Sequence, residues 1–431
     1  MPAFRAPRGT RDLLPADRPA WERLIALAND LARRYGYASI EVPLFEQTGV
    51  FERSIGEATD VVEKELFRLA PRGEETESWA LRPEATAGII RAYVQHGMRM
   101  LPQPVRVHLL GPMFRYDRPQ AGRYRQFWQW DVEAVGDPGP AIDAELVELG
   151  YRFYVEAGVS RVKVLLNSIG DPACRPAYIA ELVEYFAAHR ADLPDLERAR
   201  LDVNPLRLLD SKDPDMAALI AGAPRMVERL CDACAEHFAT VQELLDTLDV
   251  PVRLEPSLVR GLDYYTRTAF EYYREGAEGQ QQALGGGGRY DGLVEVMGGR
   301  PTPGIGFALG LDRTVLALDE EGGAAAAGLP GSRLAAYVTS ADPGAIGTRL
   351  RVATGLRSSG LAARADLGDR RLARQLEQAA REHAHFAVIL GDELAEGHVQ
   401  LRDLQAGTQR EVALADLARD IARAESSHRH G

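Results

Sequence analysis

The sequence is poor in the features that mark secreted or membrane-bound proteins. Its 431 residues include three cysteines, an odd number that does not suggest a disulfide framework, so a reducing cytoplasmic compartment is expected. No apolar run is long enough to span a bilayer, and the first ten residues lack the apolar core of a secretion signal. Lysine is also scarce. Only Lys64, Lys163 and Lys212 occur, which favours codon bias over a functional explanation.

A basic excess is absent as well. The net charge is −12, which by itself does not favour a nucleic-acid partner. The charge is unevenly distributed, however: residues 333–431 hold 14 arginines against 13 acidic residues, a charge of +1, whereas the rest of the chain carries −13. Because nucleic acids need local basic surfaces rather than a basic total, the composition permits such a partner without indicating one.

The chain is too long for one ordinary core and divides by composition. Residues 322–331 are rich in glycine and alanine and are typical of a linker. Residues 1–321 mix helical patterns with strands that would pair antiparallel, and within them residues 172–250 hold mainly helical patterns, which predicts a helical insertion. Residues 332–431 alternate strand and helix patterns and predict a small α/β domain.

Residues 114–133 predict a strand, a loop and a second strand, since Pro119 to Gly122 is typical of a turn. Alternation with period two divides the second strand into a packed face and a polar face. The polar face holds Phe127, Gln129, Asp131 and Glu133. The first strand and the loop hold Arg115, Arg118, Arg123 and Arg125. A polar face ordinarily meets solvent, but arginines opposite carboxylates also suit a site for an anion and a zwitterion.

Five further segments carry motif-like sequences. They are residues 36–43 (GYASIEVP), 81–88 (LRPEATAG), 258–271 (LVRGLDYYTRTAFE), 285–292 (GGGGRYDG) and 304–313 (GIGFALGLDR). The glycine spacing in the last segment could suggest a dinucleotide site. Such a site needs a strand, a tight turn and a helix that open a βαβ unit, and this context does not offer them.

Together these segments resemble the histidyl-tRNA synthetases of class II over essentially the whole chain. Residues 36–43, the hairpin and residues 304–313 are similar to motifs 1, 2 and 3 of the class, while 258–271 and 285–292 resemble its two histidine-specific segments. The resemblance implies an α+β fold: an antiparallel sheet with flanking helices, a helical insertion and a C-terminal α/β anticodon-binding domain. It also implies a homodimeric ligase that joins histidine to tRNA(His) through histidyl-adenylate.

The resemblance further implies roles for particular side chains. Arg115 and Arg260 would flank the ATP α-phosphate, Arg123 would reach the outer phosphates, and Arg313 would contact adenine and the γ-phosphate. The residues implied for histidine binding are Glu84, Thr86, Gln129, Glu133, Tyr264, Tyr265 and Tyr290. Glu133 would accept a hydrogen bond from one imidazole nitrogen and Tyr265 would donate to the other. Mg²⁺ would bridge the β- and γ-phosphates.

Four positions depart from the residues usual in the family. They are Ala85 for glycine, Asp117 and Asp312 for glutamate, and Trp128 for histidine. Trp128 is expected to face away from Gln129. Ala85 matters more, because its methyl group is expected close to the substrate and would change the shape of the pocket.

One rival function belongs to a different class. A catalytically inactive paralogue, the histidine-sensing regulatory subunit of ATP phosphoribosyltransferase, would bind histidine without activating it. Such paralogues generally lack the C-terminal domain and the arginine set. This chain has both, which favours the enzyme.

Two residue groups keep more ordinary interpretations. Cys231, Cys234 and His237 have metal-like spacing, but only Cys174 remains as a further cysteine, so packing within a helix is expected and no metal ligand is assigned. A predicted helix near residue 375 carries several arginines on one side. These arginines, Arg370, Arg371, Arg374 and Arg381, suit a solvated face and contact with an anticodon stem equally well.

Overall fold

The structure, a computed structural model, describes residues 4–56, 59, 61–70, 77–120, 122–211, 213–258, 264–276, 283–322, 334–342 and 344–428. The chain forms two compact units, Met1–Gly328 and Leu329–Gly431. Among the described residues, no helix combines the length and the apolar character needed to cross a membrane.

Most strands of the first unit belong to one eight-stranded sheet. Its strands are β1 (Ala38–Ser39), β4 (Val105–Phe114), β5 (Gln126–Val135), β6 (Val162–Ser168), β7 (Val252–Leu254), β8 (Thr266–Arg274), β9 (Gly285–Arg289) and β10 (Gly304–Gly310). A small separate sheet pairs β2 (Phe45–Gln47) with β3 (Trp79–Leu81).

The large sheet has the order β1-β4-β5-β10-β9-β8-β6-β7. The six inner strands, from β4 across β5, β10, β9 and β8 to β6, pair antiparallel with one another. The edge strands β1 and β7 pair in parallel with their described neighbours. The glycine-spaced run 304–310 is therefore the central strand β10 of an antiparallel sheet. It does not open a βαβ unit, as the sequence context indicates.

Helices of the first unit surround this sheet and form the insertion. They are α1 (Arg18–Arg34), α2 (Thr48–Ile55), α3 (Thr86–Gln95), α4 (Pro140–Ala157), α5 (Arg175–Ala188), α6 (Asp195–Val203), α7 (Ala217–Gly222), α8 (Asp232–Thr247), α9 (Leu293–Val296) and α10 (Leu311–Glu320). Short helical turns occur at Val61–Glu65, Met98–Met100, Pro205–Asp210, Pro214–Met216 and Met226–Glu228. Helices α5 to α8 lie within residues 172–250, and this segment has an apolar cluster of its own.

The main core lies between one face of the large sheet and helices α1 and α4. Helix α1 begins with a proline in its first turn and buries Trp21, Leu24 and Ala28 at the three- and four-residue spacing of one helical face. From the sheet, Trp130 and Val132 of β5 point into the same core. Because side chains alternate along a strand, the intervening residues of β5 face the opposite side, where the candidate site lies.

The second unit is a smaller α/β structure. Its elements are β11 (Ala336–Ser340), α11 (Ile346–Ser358), β12 (Ala363–Ala365), α12 (Leu372–Arg381), β13 (Phe386–Leu390), a short turn (Asp392–Glu396), β14 (His398–Asp403), β15 (Gln409–Ala413) and α13 (Leu417–His428). The strands form one sheet in the order β12-β11-β13-β14-β15. Strand β11 is parallel to β12 and β13, and the remaining pairs are antiparallel. The arginines at positions 370, 371, 374 and 381 are exposed in and before α12.

Candidate active site

A cavity of about 300 Å³ lies against the face of β5, β9 and β10 that points away from the main core. It brings together most of the side chains that the sequence singles out. These are Glu84, Thr86, Arg115, Arg123, Gln129, Tyr264, Tyr265, Tyr290 and Arg313. Glu133 lies one layer deeper, and Arg260 lies outside the described residues.

Three arginines form a cationic group in this cavity. Burial lowers the pKa of the Arg313 guanidinium, and the positive charges of Arg123 and Arg115 lower it further. All three cations line the same cavity, where their positive charges repel one another. A multiply charged anion is the ligand that would relieve this repulsion.

Contacts with the surrounding backbone orient these arginines. Arg115 donates from Nε to the carbonyl oxygen of Pro83 at 2.9 Å, and its guanidinium carbon lies 5.3 Å from the centre of the Phe127 ring. Arg313 donates to the carbonyl oxygen of Ala283. The group is therefore largely positioned before an anion arrives, which strengthens its effect on a bound phosphate.

The third arginine is held by a carboxylate. Nε of Arg123 lies 2.6 Å from Oδ2 of Asp117, one of the positions that depart from the family pattern. The shorter aspartate is thus able to hold the arginine of the hairpin loop.

A second wall of the cavity consists of acceptor oxygens. Within the described part of the chain, no donor reaches Oε2 of Glu84, Oε1 of Gln129 or either carboxylate oxygen of Asp131. Leaving one buried polar group unpaired costs about 1–3 kcal/mol. Burial raises the pKa of Asp131 well above its ordinary value, and the charge of Glu84 raises it further. Burial also raises the pKa of Glu84. This wall suits a cationic ligand with several N–H groups.

Glu133 supports the cavity from below instead of lining it. The Thr86 hydroxyl donates to Oε1 of Glu133 at 2.5 Å, and the Tyr290 hydroxyl donates to Oε2. Burial raises the pKa of Glu133 well above its ordinary value, although these two hydrogen bonds oppose the shift. Strand alternation alone places Glu133 on the cavity face. Its deeper position depends on the hydrogen bonds from Thr86 and Tyr290, which belong to segments far from Glu133 in the sequence.

A glycine makes room for this carboxylate. A Cβ atom added to Gly306 would lie 1.7 Å from Oε2 of Glu133. Gly304, on the same strand, lies under the Tyr290 ring, where an added Cβ would be 2.3 Å from Cε2. Because Gly304 and Gly306 of β10 have no side chains, Tyr290 and Glu133 can lie directly against the strand.

Tyr264 and Tyr265 directly precede strand β8, which begins at Thr266. Their ring centres are 4.6 Å apart, and Tyr264 also meets the Tyr290 ring edge-on at 5.9 Å. Burial raises the pKa of Tyr264 well above its ordinary value. A register shift between Thr266 and Ala269 accompanies the start of the strand.

Three acidic residues of the cavity had no functional assignment from the sequence. Alternation along β5 predicts that Asp131 faces the cavity, which it does. Glu271 lies on β8, opposite Gly286 of β9. Asp312 follows β10: its Oδ2 accepts from the main-chain N–H of Trp128 at 2.8 Å, and its Oδ1 pairs with Arg11 at 2.9 Å. No spacing in the sequence signals these last contacts.

The two remaining departures from the family pattern are Ala85 and Trp128, whose side chains pack with apolar clusters. Ala85 is fully buried and packs in the apolar cluster around α3 instead of lining the cavity. The ring of Trp128 packs edge-on against Trp21 with centroids 6.1 Å apart, on the side of the main core.

Comparisons with known proteins identify close relatives of both units. Residues 9–314 match the family described as histidyl-tRNA synthetase, and residues 336–423 match the family described as anticodon binding domain. A histidine–tRNA ligase of Desulforudis audaxviator is 46% identical over 418 residues, covering 97% of this chain and 98% of the relative. One of Moorella thermoacetica is 45% identical over 410 residues, covering 95% and 96%.

Solved structures show the same relationship. The apo histidyl-tRNA synthetase of S. aureus superposes with a TM-score of 0.81 at 33% identity, covering 97% of this chain and all of that one. A Bacillus halodurans protein described as an ATP phosphoribosyltransferase regulatory subunit/histidyl-tRNA synthetase gives a TM-score of 0.63 at 21% identity, covering 90% and 98%. At that identity, the second likeness establishes a shared fold alone.

Proposed function

The chain belongs to the histidyl-tRNA synthetase family, and from this premise we propose a role for each side chain of its cavity. The reaction is that of a histidine–tRNA ligase. The histidine carboxylate attacks the α-phosphorus of ATP, which forms histidyl-adenylate and releases pyrophosphate. A ribose hydroxyl at the 3′ end of tRNA(His) then takes the acyl group and releases AMP. Relatives 45–46% identical over nearly the whole chain are ligases, so the inactive regulatory alternative is not favoured.

We assign ATP to the arginine side of the cavity. Arg115 and Arg260 would contact the α-phosphate, Arg123 the outer phosphates, and Arg313 adenine and the γ-phosphate. The carboxylate and the α-phosphate repel each other, so fixed positive charge at this point lowers the barrier to attack. Arg115, Arg123 and Arg313 line the same cavity, which supports this assignment.

We assign the histidine ammonium group to the acceptor wall. Glu84, Gln129 and the Tyr290 hydroxyl would surround it, with Thr86 beside them and Asp131 adding negative charge. The ammonium has three N–H donors, and the wall offers unpaired buried oxygens on Glu84, Gln129 and Asp131. The observation that carries the proposal is this juxtaposition, in one cavity, of unpaired acceptors with grouped arginines.

The imidazole ring would take the deeper end of the cavity, beside the tyrosines. One ring nitrogen would accept from Tyr265, and the other would donate to Glu133 in place of the Thr86 hydroxyl. Tyr264 would pack against the ring. A pocket that pairs both nitrogens leaves buried polar groups unsatisfied by an apolar analogue, and such sites discriminate by about 10⁴-fold or more.

A magnesium ion fits the donor set at the phosphate end. Mg²⁺ prefers carboxylate and phosphate oxygens, and Glu271 lines the cavity near Arg313. We propose that Glu271 would hold the ion beside the ATP phosphates. When bound, the ion neutralises charge on the leaving pyrophosphate.

We also propose partners and a location for this chain. The second unit, which matches the anticodon-binding family, would contact the anticodon region of tRNA(His), and the exposed arginines around α12 are our candidate surface. We propose a homodimer formed near Pro43, in the segment that resembles motif 1. We also propose a cytoplasmic location, in agreement with three cysteines that are free thiols.

The decisive experiment is ATP–pyrophosphate exchange with purified protein and Mg²⁺ in the absence of tRNA. Exchange that depends on histidine, and is absent with other amino acids, is the expected result. Histidine binding without exchange would contradict the proposal and point to a regulatory paralogue.

A further inference from the structure

All three cysteines of the chain lie close to Asp171, the residue that precedes the helical insertion. Cys174 occupies the N-cap of α5, with Asp171 three residues earlier; Cys231 occupies the N-cap of α8, with Cys234 in its first turn. One ligand atom from each of the four residues lies within 4.8 Å of the others. The cysteines are free thiols.

We propose that Asp171, Cys174, Cys231 and Cys234 bind a structural zinc ion. Sγ of Cys174 lies 3.9 Å from Sγ of Cys234 and 3.6 Å from Oδ1 of Asp171. Zinc bonds are about 2.3 Å to sulfur and about 2.0–2.2 Å to a carboxylate oxygen, so the edges of a tetrahedral site are roughly 3.8 Å between sulfurs and roughly 3.5 Å between sulfur and oxygen. On binding, each of the three thiols gives up its proton to solvent and becomes a thiolate ligand.

Ordinary packing accounts for only part of this cluster. Burial in an apolar cluster explains Cys174 and Cys234. Half-buried Cys231 packs against the same cluster, but packing does not explain why the carboxylate of Asp171 lies 3.6 Å from Sγ of Cys174. The spacings Asp-x-x-Cys and Cys-x-x-Cys place two ligands on each of two chain segments, as structural zinc sites do.

The sequence shows metal-like spacing at Cys231, Cys234 and His237 but predicts packing there, and His237 does not belong to the cluster. His237 belongs to the same helix as Cys234, but its Nε2 lies 2.9 Å from Asp143 and serves a separate buried network. Asp171 supplies the fourth position instead. Because it precedes Cys231 by 60 residues, local spacing does not reveal it.

The surroundings suit a site with net negative charge. Three thiolates and a carboxylate exceed the charge of Zn²⁺ by two. The guanidinium of Arg267 lies 3.3 Å from Oδ2 of Asp171, and the main-chain N–H of Ala173 donates to Oδ1 at 2.9 Å. The positive ends of α5 and α8 also face the cluster, because their N-caps are ligands.

One residue couples this cluster to the catalytic cavity. Arg175, adjacent to Cys174, donates to the main-chain oxygen of Tyr265 at 2.6 Å and to that of Gly170 at 3.1 Å. A zinc ion that fixes the start of α5 would also fix Arg175, and through it the backbone at Tyr265. Loss of zinc should therefore raise KM for histidine more than it lowers kcat.

The primary test is metal content of the full-length chain, purified without a metal-affinity tag under reducing conditions. Elemental analysis should find about one zinc per chain. Replacement by Co²⁺ should give thiolate-to-metal charge-transfer bands and the visible bands of a tetrahedral ion. A chain that takes up no stoichiometric zinc or cobalt would overturn the proposal, and so would a disulfide between Cys174 and Cys234 found by mass spectrometry.

Variants locate the site. Cys231→Ser, at the least buried sulfur, should weaken cobalt charge-transfer absorption and lower zinc content, while Asp171→Asn should shift the visible cobalt bands. Asp192→Asn, at an exposed carboxylate of the same insertion, is the matched control and should retain zinc. Metal content unchanged in both ligand variants would place the metal elsewhere and contradict the proposal, whether or not ATP–pyrophosphate exchange occurs.

Discussion

Arg289 and Asp143 form an ion pair in which neither side chain has any exposed surface. Oδ2 of Asp143 also accepts a hydrogen bond from the Thr268 hydroxyl at 2.6 Å and lies 2.9 Å from Nε2 of His237. The network joins α4, α8, β8 and β9, and Tyr290 follows Arg289 directly. Burial by itself would raise the pKa of Asp143, but hydrogen bonding to His237 and the charge of Arg289 hold it below its ordinary value.

Removal of this carboxylate should destabilise the first unit strongly. Asp143→Ala removes the fully buried charge partner of Arg289 and leaves it only the partly exposed Asp291, 3.1 Å away; breaking a buried ion pair typically costs about 3–5 kcal/mol. Because the folded-state pKa of Asp143 is depressed, its contribution is present above the unfolded-state pKa and is lost as pH falls through the folded-state value. Urea unfolding at neutral and acidic pH should therefore show a difference from the unmodified chain that shrinks in acid. Asp202→Ala, which breaks an exposed pair with Arg190, is the control and should change stability little.

Arginine variants should separate catalysis from histidine binding. Arg115→Ala and Arg260→Ala should each lower ATP–pyrophosphate exchange by about 10²–10³-fold, because each removes charge stabilisation at the α-phosphate. Histidine binding, measured by calorimetry without ATP, should change little. Arg118→Ala, at an exposed arginine of the same hairpin, should leave exchange unchanged. Equal losses of binding and exchange in the first two variants would contradict their assigned roles.

Histidine binding should release protons from the acceptor wall. The pKa values of Asp131 and Glu84 are raised in the ligand-free cavity, and a bound ammonium group would lower them by favouring the ionised carboxylates. Affinity for histidine should therefore fall as pH falls through the raised values. Calorimetry in buffers of different ionisation enthalpy measures the released protons, and Asp131→Asn should release fewer. The same number in both proteins would count against a role for Asp131.

The raised pKa values also predict how stability depends on pH. A carboxyl whose folded-state pKa exceeds its unfolded-state value binds protons more tightly when folded, so the ligand-free protein should lose stability as pH rises between the two values. Thermal unfolding should show this loss, and Asp131→Asn should reduce it. A loss of the same size in the variant would assign it to other groups.

Gly306→Ala should impair histidine binding more than ATP binding. The added Cβ would lie 1.7 Å from Oε2 of Glu133, so the carboxylate and its bonds to Thr86 and Tyr290 must shift. We expect KM for histidine to rise while KM for ATP changes less. Gly49→Ala is the control, because nothing lies within 4 Å of an added Cβ there. Melting temperatures of both variants separate a local shift from unfolding.

The sequence predicts the fold and the residues of the cavity wall better than it predicts how deeply each side chain is buried. Alternation along β5 correctly separates Trp130 and Val132, which are in the core, from Gln129 and Asp131, which line the cavity. It cannot show that Glu133 lies below the surface, because its partner Tyr290 is 157 residues away. The same limit applies to the thiol cluster, whose two halves are joined only by folding.

The contact between Arg11 and Asp312 bears on how the chain is made. The two residues are 301 positions apart, and the carbonyl oxygen of Gly9, close to Arg11, accepts from the main-chain N–H of Arg125 at 2.7 Å. At roughly 5–20 residues per second, a ribosome needs about 15–60 s between delivering Arg11 and delivering Asp312. Throughout that interval the beginning of the nascent chain cannot form the contact between Arg11 and Asp312. The first unit can therefore close only late in its own synthesis, when the strand and helix that end it have emerged.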